Sequence, residues 1–180
     1  MKRRLLAALL DYCVMLGWLA VLAAVFVPLS LAGVRLWGGR ADLVAFAASV
    51  LPVWLYLTVT ESRAGATWGK RRAGLHVVGP GGRRAGAARI AVRNAVKLAP
   101  WQLAHLGVVP LLTNGGADTL VSPALAWLPL SATYALVGLT VVVTLVRRDR
   151  AALHDLVTGT RVVPSRPRVR HDDPQLAPTT

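Results

Sequence analysis

The chain has 180 residues, of which 54% are hydrophobic and 16% charged, and its formal net charge is +13. Soluble domains carry about 25% charged residues, so this chain is poor in charge and yet strongly basic. A disordered basic tail would lack the apolar residues, and a soluble nucleic-acid-binding domain is not usually this hydrophobic. The composition leaves a membrane protein or a soluble protein with an unusually large core.

Long apolar stretches favour the membrane protein over the soluble one. Between residues 5 and 32 the only carboxylate is Asp11, and residues 43–60 carry no charge. Residues 98–146 contain no lysine or arginine and a single acid, Asp118. Because a membrane-spanning helix needs about 20 mainly apolar residues, we predict an all-α membrane protein built as a bundle of four transmembrane helices. The predicted spans are about 9–31, 42–60, 97–113 and 122–146.

The basic residues predict the orientation of these spans. Three lie at the N-terminus, two in residues 33–42, nine in residues 63–97 and seven after residue 146. Cytoplasmic loops of membrane proteins are enriched in lysine and arginine, so we expect both termini and the segment 61–96 in the cytoplasm. If residues 97–113 were only re-entrant, three spans would leave the basic tail outside, so four spans are favoured.

Two short β-prone runs lie on the predicted cytoplasmic side. The run Leu75–Val78 is followed by a Gly-Pro-Gly-Gly turn signal. The run 160–163 comes after the last span. We predict that they pair in a small cytoplasmic sheet.

A basic stripe marks the residues between the first run and the third span. Residues 85–97 have a helical pattern, in which Arg89, Arg93 and Lys97 recur at i, i+4 and i+8. This pattern is typical of a basic amphipathic helix that lies in the membrane interface against anionic headgroups. We therefore expect the lipid bilayer itself to be one partner.

Several motifs occur in a characteristic order. Arg4 is followed by Asp11 seven residues later, then by GATWGKRRAGLHVV at residues 65–78, Arg93 and HDLVTGTRVV at residues 154–163. This combination resembles the RDD family of bacterial and archaeal membrane proteins.

The family takes its name from an arginine and two aspartates, which match Arg4, Asp11 and Asp155. The resemblance covers about residues 3–163, so we expect an RDD-like membrane domain over 1–163 and a disordered cytoplasmic tail over 164–180. It implies a multi-pass protein of the plasma membrane of a bacterium or archaeon. Most members have no defined activity, and ion transport is proposed for some.

Other residues of these motifs are expected to hold the cytoplasmic segment together. They are Thr67, Gly69, Lys70, Gly74, Arg93, His154 and Thr160. The chain departs from the family pattern at Ala66 and Trp68, which places the form of the local turn in question.

Asp11 lies inside the first predicted span, where an ionised carboxylate is unfavourable unless it has a partner. It lies two helical turns, roughly 10.5 Å, from Arg4. One hypothesis is structural: Asp11 pairs with Arg4, Lys70 or Arg93 and fixes helix packing. The other is functional: its carboxylate binds a proton or cation on a pathway.

Glu61 and His105 are the other candidates for such a pathway. Glu61 lies at the end of the second span, where an interfacial acid beside Arg63 is the simpler interpretation. His105 lies in the third span, where a hydrogen-bonded packing role is more usual than a proton relay.

No pattern indicates catalysis or metal binding. The histidines have unrelated spacings and the single cysteine, Cys13, has no partner cysteine, so we expect no metal site. No nucleophile is marked beside His154 and Asp155, and we expect no enzyme activity. Asp155 is instead predicted to accept hydrogen bonds from Thr67, Lys70 or backbone donors of the segment 61–96.

Nucleotide and nucleic-acid partners are not expected either. A phosphate-binding loop needs four residues between its glycines and a Ser or Thr after the lysine. The run that begins at Gly65 has three residues between its glycines, and Arg71 follows Lys70. Only Trp68 lies among the cytoplasmic bases, so the aromatic residues that stack nucleic-acid bases are missing. No cofactor is predicted.

Two functions remain. The first is an accessory or scaffold component that binds another membrane protein or a second copy of this chain. The second is a small cation or proton transporter that uses Asp11.

Overall fold

The computed structural model describes residues 2–34, 40–113 and 119–165. Four helices in these ranges are long and apolar enough to cross a membrane. They are α1 (Lys2–Leu31), α2 (Ala41–Ala64), α4 (Ala87–Leu112) and α5 (Trp127–Val146), the last entered through a 3-10 turn at Pro123–Leu125. The prediction of a helical bundle with four candidate spans is confirmed, whereas the expected disordered tail lies almost wholly outside the described residues.

The second span changes its winding near its start. Residues Phe46–Val50 form a π-helical turn between α-helical parts. Helix α2 ends at Ala64 and is capped by Gly65, whose φ of 69° is left-handed and favours glycine. The helix therefore continues four residues beyond the predicted span and carries Glu61 into the bundle.

The third span differs from its prediction. We expected a separate interfacial helix over 85–97 and a span over 97–113, but Ala87–Leu112 is one continuous helix. Its central part packs between α2 and α5. Arg93, on the predicted lipid-facing stripe, is buried, because acidic side chains inside the bundle pair with it.

The helix of the fourth span, α5, contains one proline, Pro129, near its start. Helix α5 begins at Trp127, so Pro129 lies in the first turn. N–H groups there have no acceptor within the helix, and proline is tolerated.

The predicted small sheet is confirmed. Strand β1 (Leu75–Val78) pairs antiparallel with β2 (Arg161–Pro164). Val77 lies opposite Val162. Val77 forms a buried apolar cluster with Ala85 and Ile90, and Val162 packs against this cluster. The sheet thus connects the end of the chain to the segment between the second and third spans.

Two short helices flank this sheet. Helix α3 (Trp68–Arg72) packs against α1, and α6 (Leu153–Thr158) packs against α4. An apolar cluster fills the centre of the bundle above them. Its buried members are Met15, Val50, Val53, Leu57 and Leu98, with Phe46, Trp54, Tyr56 and Trp101 packed around them.

Candidate functional site: a buried charge network

Asp11 anchors the segment after α2 onto α1. Its carboxylate is buried and accepts hydrogen bonds from Thr67 Oγ1 at 2.6 Å and from Gly69 N at 2.9 Å. Lys70 Nζ lies 3.6 Å from Asp11 Oδ2. Of the partners considered from the sequence, Lys70 is the one found, and two neutral donors complete the shell.

The local chain geometry brings these donors to Asp11. Thr67 has extended backbone angles and caps α3, because its Oγ1 accepts from Lys70 N at 3.3 Å. Gly69 sits so close to α1 that a Cβ there would lie 2.7 Å from Asp11 Oδ1. Despite the departures at Ala66 and Trp68, the turn forms. Ala66 is buried in it, and Trp68 contacts the guanidinium of Arg72 on the surface.

Glu61 lies at the centre of the network. Its Oε1 accepts from Lys70 Nζ at 2.8 Å and its Oε2 from Arg93 Nη1 at 2.8 Å. The interpretation of Glu61 as an interfacial acid beside Arg63 is wrong, because Glu61 is only 1% exposed. The extra turn of α2 carries it between Lys70 and Arg93, which satisfy its charge.

Arg93 extends the network to the residues that follow α5. Its Nε donates to Asp155 Oδ1 at 2.9 Å and to Thr160 Oγ1 at 3.2 Å. Thr160 in turn donates to Asp155 Oδ1 at 2.9 Å. The predicted donors are wrong: Thr67 and Lys70 bond to Asp11 and Glu61, and no backbone N–H of the described segment 61–96 is found on the Asp155 carboxylate. Asp155 nevertheless connects to that segment, through the Arg93 side chain.

Two further polar side chains of α4 lie beside these ion pairs. Asn94 is fully buried; its Nδ2 lies 3.3 Å from Glu61 Oε2, and its Oδ1 has no hydrogen-bond partner among the described residues. Lys97 is half-buried and forms no ion pair with any described carboxylate. The sequence placed Lys97 on a surface stripe and gave no sign of Asn94.

Arg4 does not pair with Asp11. Its guanidinium donates to the backbone carbonyls of Arg150 at 2.8 Å and Val162 at 2.9 Å. The first turn of α1 thus holds the connection between α5 and α6 and one edge of β2. The remaining motif glycine, Gly74, has a φ of 65°, and its carbonyl accepts from Ser165 N at 2.8 Å.

His154 is held neutral beside these groups. Burial and the nearby Arg93 guanidinium lower the pKa of His154 to about 3. Its Nε2 lies 3.9 Å from Asp155 Oδ2, a long contact that leaves the carboxylate to Arg93 and Thr160.

His105 lies apart from the network. It is 3.1 Å from Ser49 Oγ and stacks on Trp101. The apolar cluster that includes Met15 and Leu57 lies between this pair and the charged groups. Of the three predicted pathway residues, the structure brings together Asp11 and Glu61, which Lys70 bridges, and leaves out His105.

One buried acid near the other end of the bundle was missed. Asp42 accepts from Leu43 N at 3.1 Å and from Leu120 N at 2.8 Å. It is the only acid between Asp11 and Glu61 in the sequence, which is the signal that could have identified it. Within the described residues, no group of three or more His, Cys, Asp or Glu side chains could hold a metal ion.

The comparisons agree with the ordered motifs. The family model described as "RDD family" matches residues 1–159. The chain belongs to the RDD family. Neither the curated proteins nor the solved structures gave a match. In this RDD protein, Arg4 donates to the backbone carbonyls of Arg150 and Val162, while Asp11 and Asp155 lie in two different parts of one charge network.

Proposed function

We propose that this RDD protein is an accessory or scaffold component of a membrane-protein complex. The supporting observation is that Asp11, Glu61 and Asp155 each meet a basic side chain from another element. Breaking a buried ion pair costs about 3–5 kcal/mol, so pairs between elements oppose movement of those elements apart. A network of this kind suits a rigid unit that presents fixed surfaces to a partner.

The separation of the polar groups favours the same function. A conducting route needs polar or water-filled space along its length. Here the apolar cluster around Leu57 and Leu98 lies between the charge network and the Ser49–His105 pair. Within the described residues an apolar layer thus interrupts the row of polar groups, which supports a packing role over conduction.

Crosslinking in intact membranes tests this proposal. A photo-crosslinking residue would replace Tyr134, which is 76% exposed on α5, or Leu16, which is 61% exposed on α1. We expect one discrete protein adduct from at least one position, either with a different membrane protein or with a second copy. Adducts with lipid alone from both positions would contradict the accessory role.

We further propose that the protein resides in the plasma membrane with both termini in the cytoplasm. In a Cys13→Ser background, Lys2→Cys and Ser165→Cys would be treated with a membrane-impermeant maleimide. Both positions should react only after the cells are opened. Labelling of either one in intact cells would contradict this orientation.

The alternative is a cation or proton transporter that uses Asp11. One observation favours it: Asp11 lines two cavities of about 270 and 340 Å³ on the flanks of the network. Flux of Na⁺ and H⁺ into proteoliposomes would be compared for the wild type and Asp11→Asn. Flux that the substitution abolishes supports transport, whereas no flux, or flux that it leaves unchanged, rules out this role for Asp11.

A further inference from the structure

Two neighbouring cavities open beside the charge network. Both lie between α1 on one side and α4 and α6 on the other, and they share part of their lining. The shared residues are Ala8, Asp11, Lys97 and His154.

The cavity beside the first turn of α1 and α6 carries an excess of positive charge. Five basic residues line it, against two acids, Asp11 and Asp155. The basic residues are Arg4, Lys70, Arg93, Lys97 and Arg150. Lys70 and Arg93 pair with Asp11, Glu61 and Asp155, which leaves one net negative charge in the network against the three remaining positive charges. The other three make no ion pair within the described residues, and Arg4 and Arg150 donate only to backbone carbonyls.

The second cavity is mainly apolar. The helices α1 and α5 line its two sides with Met15 and Val137. At its rim, Tyr12 is 57% exposed and Val141 is 51% exposed, so the space opens between two spanning helices on the outer face of the bundle. In a membrane that face meets acyl chains.

Lys97 lies where the polar and apolar parts join. It is the last charged residue of α4, and residues 98–112 contain none. A half-buried ammonium group without a carboxylate in contact is stabilised when an anion binds beside it. Basic pockets between spanning helices bind anionic lipid headgroups.

We propose that the two cavities together bind one anionic phospholipid. Its phosphate lies near Lys97, Arg4 and Arg150, and an acyl chain runs along the apolar groove between α1 and α5. This site is independent of the accessory function, since it uses no partner protein. It differs from general attraction of headgroups to the basic surface because it has a defined place and an apolar half.

Native mass spectrometry of the purified full chain tests the site. The protein in mild detergent would be mixed with equal amounts of phosphatidylglycerol and phosphatidylcholine of resolvable mass. We expect the wild type to retain one phosphatidylglycerol at least about fivefold over phosphatidylcholine. Equal retention of the two lipids would overturn the proposal.

Matched variants separate the site from surface charge. Lys97→Gln should remove most of the preference, and Lys97→Arg should keep it. Arg83→Gln removes the same charge from an exposed loop position and should behave like the wild type. Equal loss in Lys97→Gln and Arg83→Gln would show diffuse attraction and overturn the site.

Two further arms test the apolar half and the source of the phosphate. Val141→Trp, which narrows the groove without a change of charge, should also lower retention, and unchanged retention would contradict the acyl-chain position. An excess of glycerol phosphate should not displace the lipid. If it does, the cavity binds a free anion and the lipid assignment is wrong.

The melting temperature of each variant, measured in parallel, shows that it is folded.

Discussion

The backbone N–H of Gly69 donates to Asp11 Oδ1 over 2.9 Å, with no space for a side chain between them. A Cβ at position 69 would overlap the backbone carbonyl of Ala7 as well as the carboxylate. We expect Gly69→Ala to lower the free energy of unfolding by about 1–3 kcal/mol, as overpacking does elsewhere. Thermal unfolding in detergent, followed by circular dichroism, measures it.

Gly138→Ala is the control for this substitution. Gly138 lies in α5 and a Cβ there meets no atom within 4 Å, and alanine favours a helix. Its melting temperature should equal or slightly exceed that of the wild type. Equal melting temperatures for the two alanine variants would show that α3 does not dock on α1 at this point.

Removal of Arg93 should be more damaging. Arg93→Gln leaves Glu61 without one of its two bases and Asp155 without its base. Breaking a buried ion pair in this way costs about 3–5 kcal/mol. The variant should show a large fall in melting temperature.

The matched control lies one helical turn away. Arg89 is exposed and donates only to the Thr158 carbonyl, so Arg89→Gln should change stability by less than about 1 kcal/mol. If the two variants lose equal stability, the network does not hold the fold together.

The sequence predicted the spans and the strand pairing because both follow from local patterns. An apolar run of about 20 residues is long enough to span a membrane, and the β-prone run at Leu75–Val78 has one comparable run, at residues 160–163. The pairing of Val77 with Val162 thus agrees with the sheet predicted from the two β-prone runs alone. The helix ends were less accessible, since nothing local to residues 61–64 shows that α2 continues.

The partners of the buried charges could not be predicted. The sequence did not distinguish three candidate bases for Asp11. Lys70 is the base that contacts it because the bonds from Thr67 and Gly69 to Asp11 hold α3 against α1. Arg93 carries a helical spacing that fits a surface stripe equally well. The positions of Glu61 on α2 and Asp155 on α6 together make that side of α4 an interior face.

The register of the small sheet gives a third prediction. His76 lies opposite Val163 in the antiparallel pair, and side chains opposite each other are close enough for a disulfide. In a Cys13→Ser background, His76→Cys with Val163→Cys should form a crosslink in mild oxidant, seen as a mobility shift on gels. His76→Cys with Val162→Cys should not, since these side chains point to opposite faces. A crosslink in the second pair alone would indicate another register.

Acid should destabilise the protein through His154. Its pKa in the folded chain is lowered to about 3, by burial first and then by Arg93, while an unfolded histidine takes up a proton near pH 6.5. Below that pH the unfolded chain binds a proton that the folded chain does not. Stability therefore falls from pH 6.5 toward pH 3, by at most about 1.4 kcal/mol per pH unit. Above pH 6.5 the effect is absent.

The variant His154→Gln isolates this term from the other acids and bases of the network, since the surrounding Lys70, Lys97 and Asp155 remain. Melting temperatures would be compared from pH 8 to pH 4.5. We expect the wild type to lose stability more steeply than the variant below pH 6.5, with parallel behaviour above it. Equal slopes over the whole range would mean that His154 takes up its proton as readily in the folded chain, and that it is not enclosed beside Arg93.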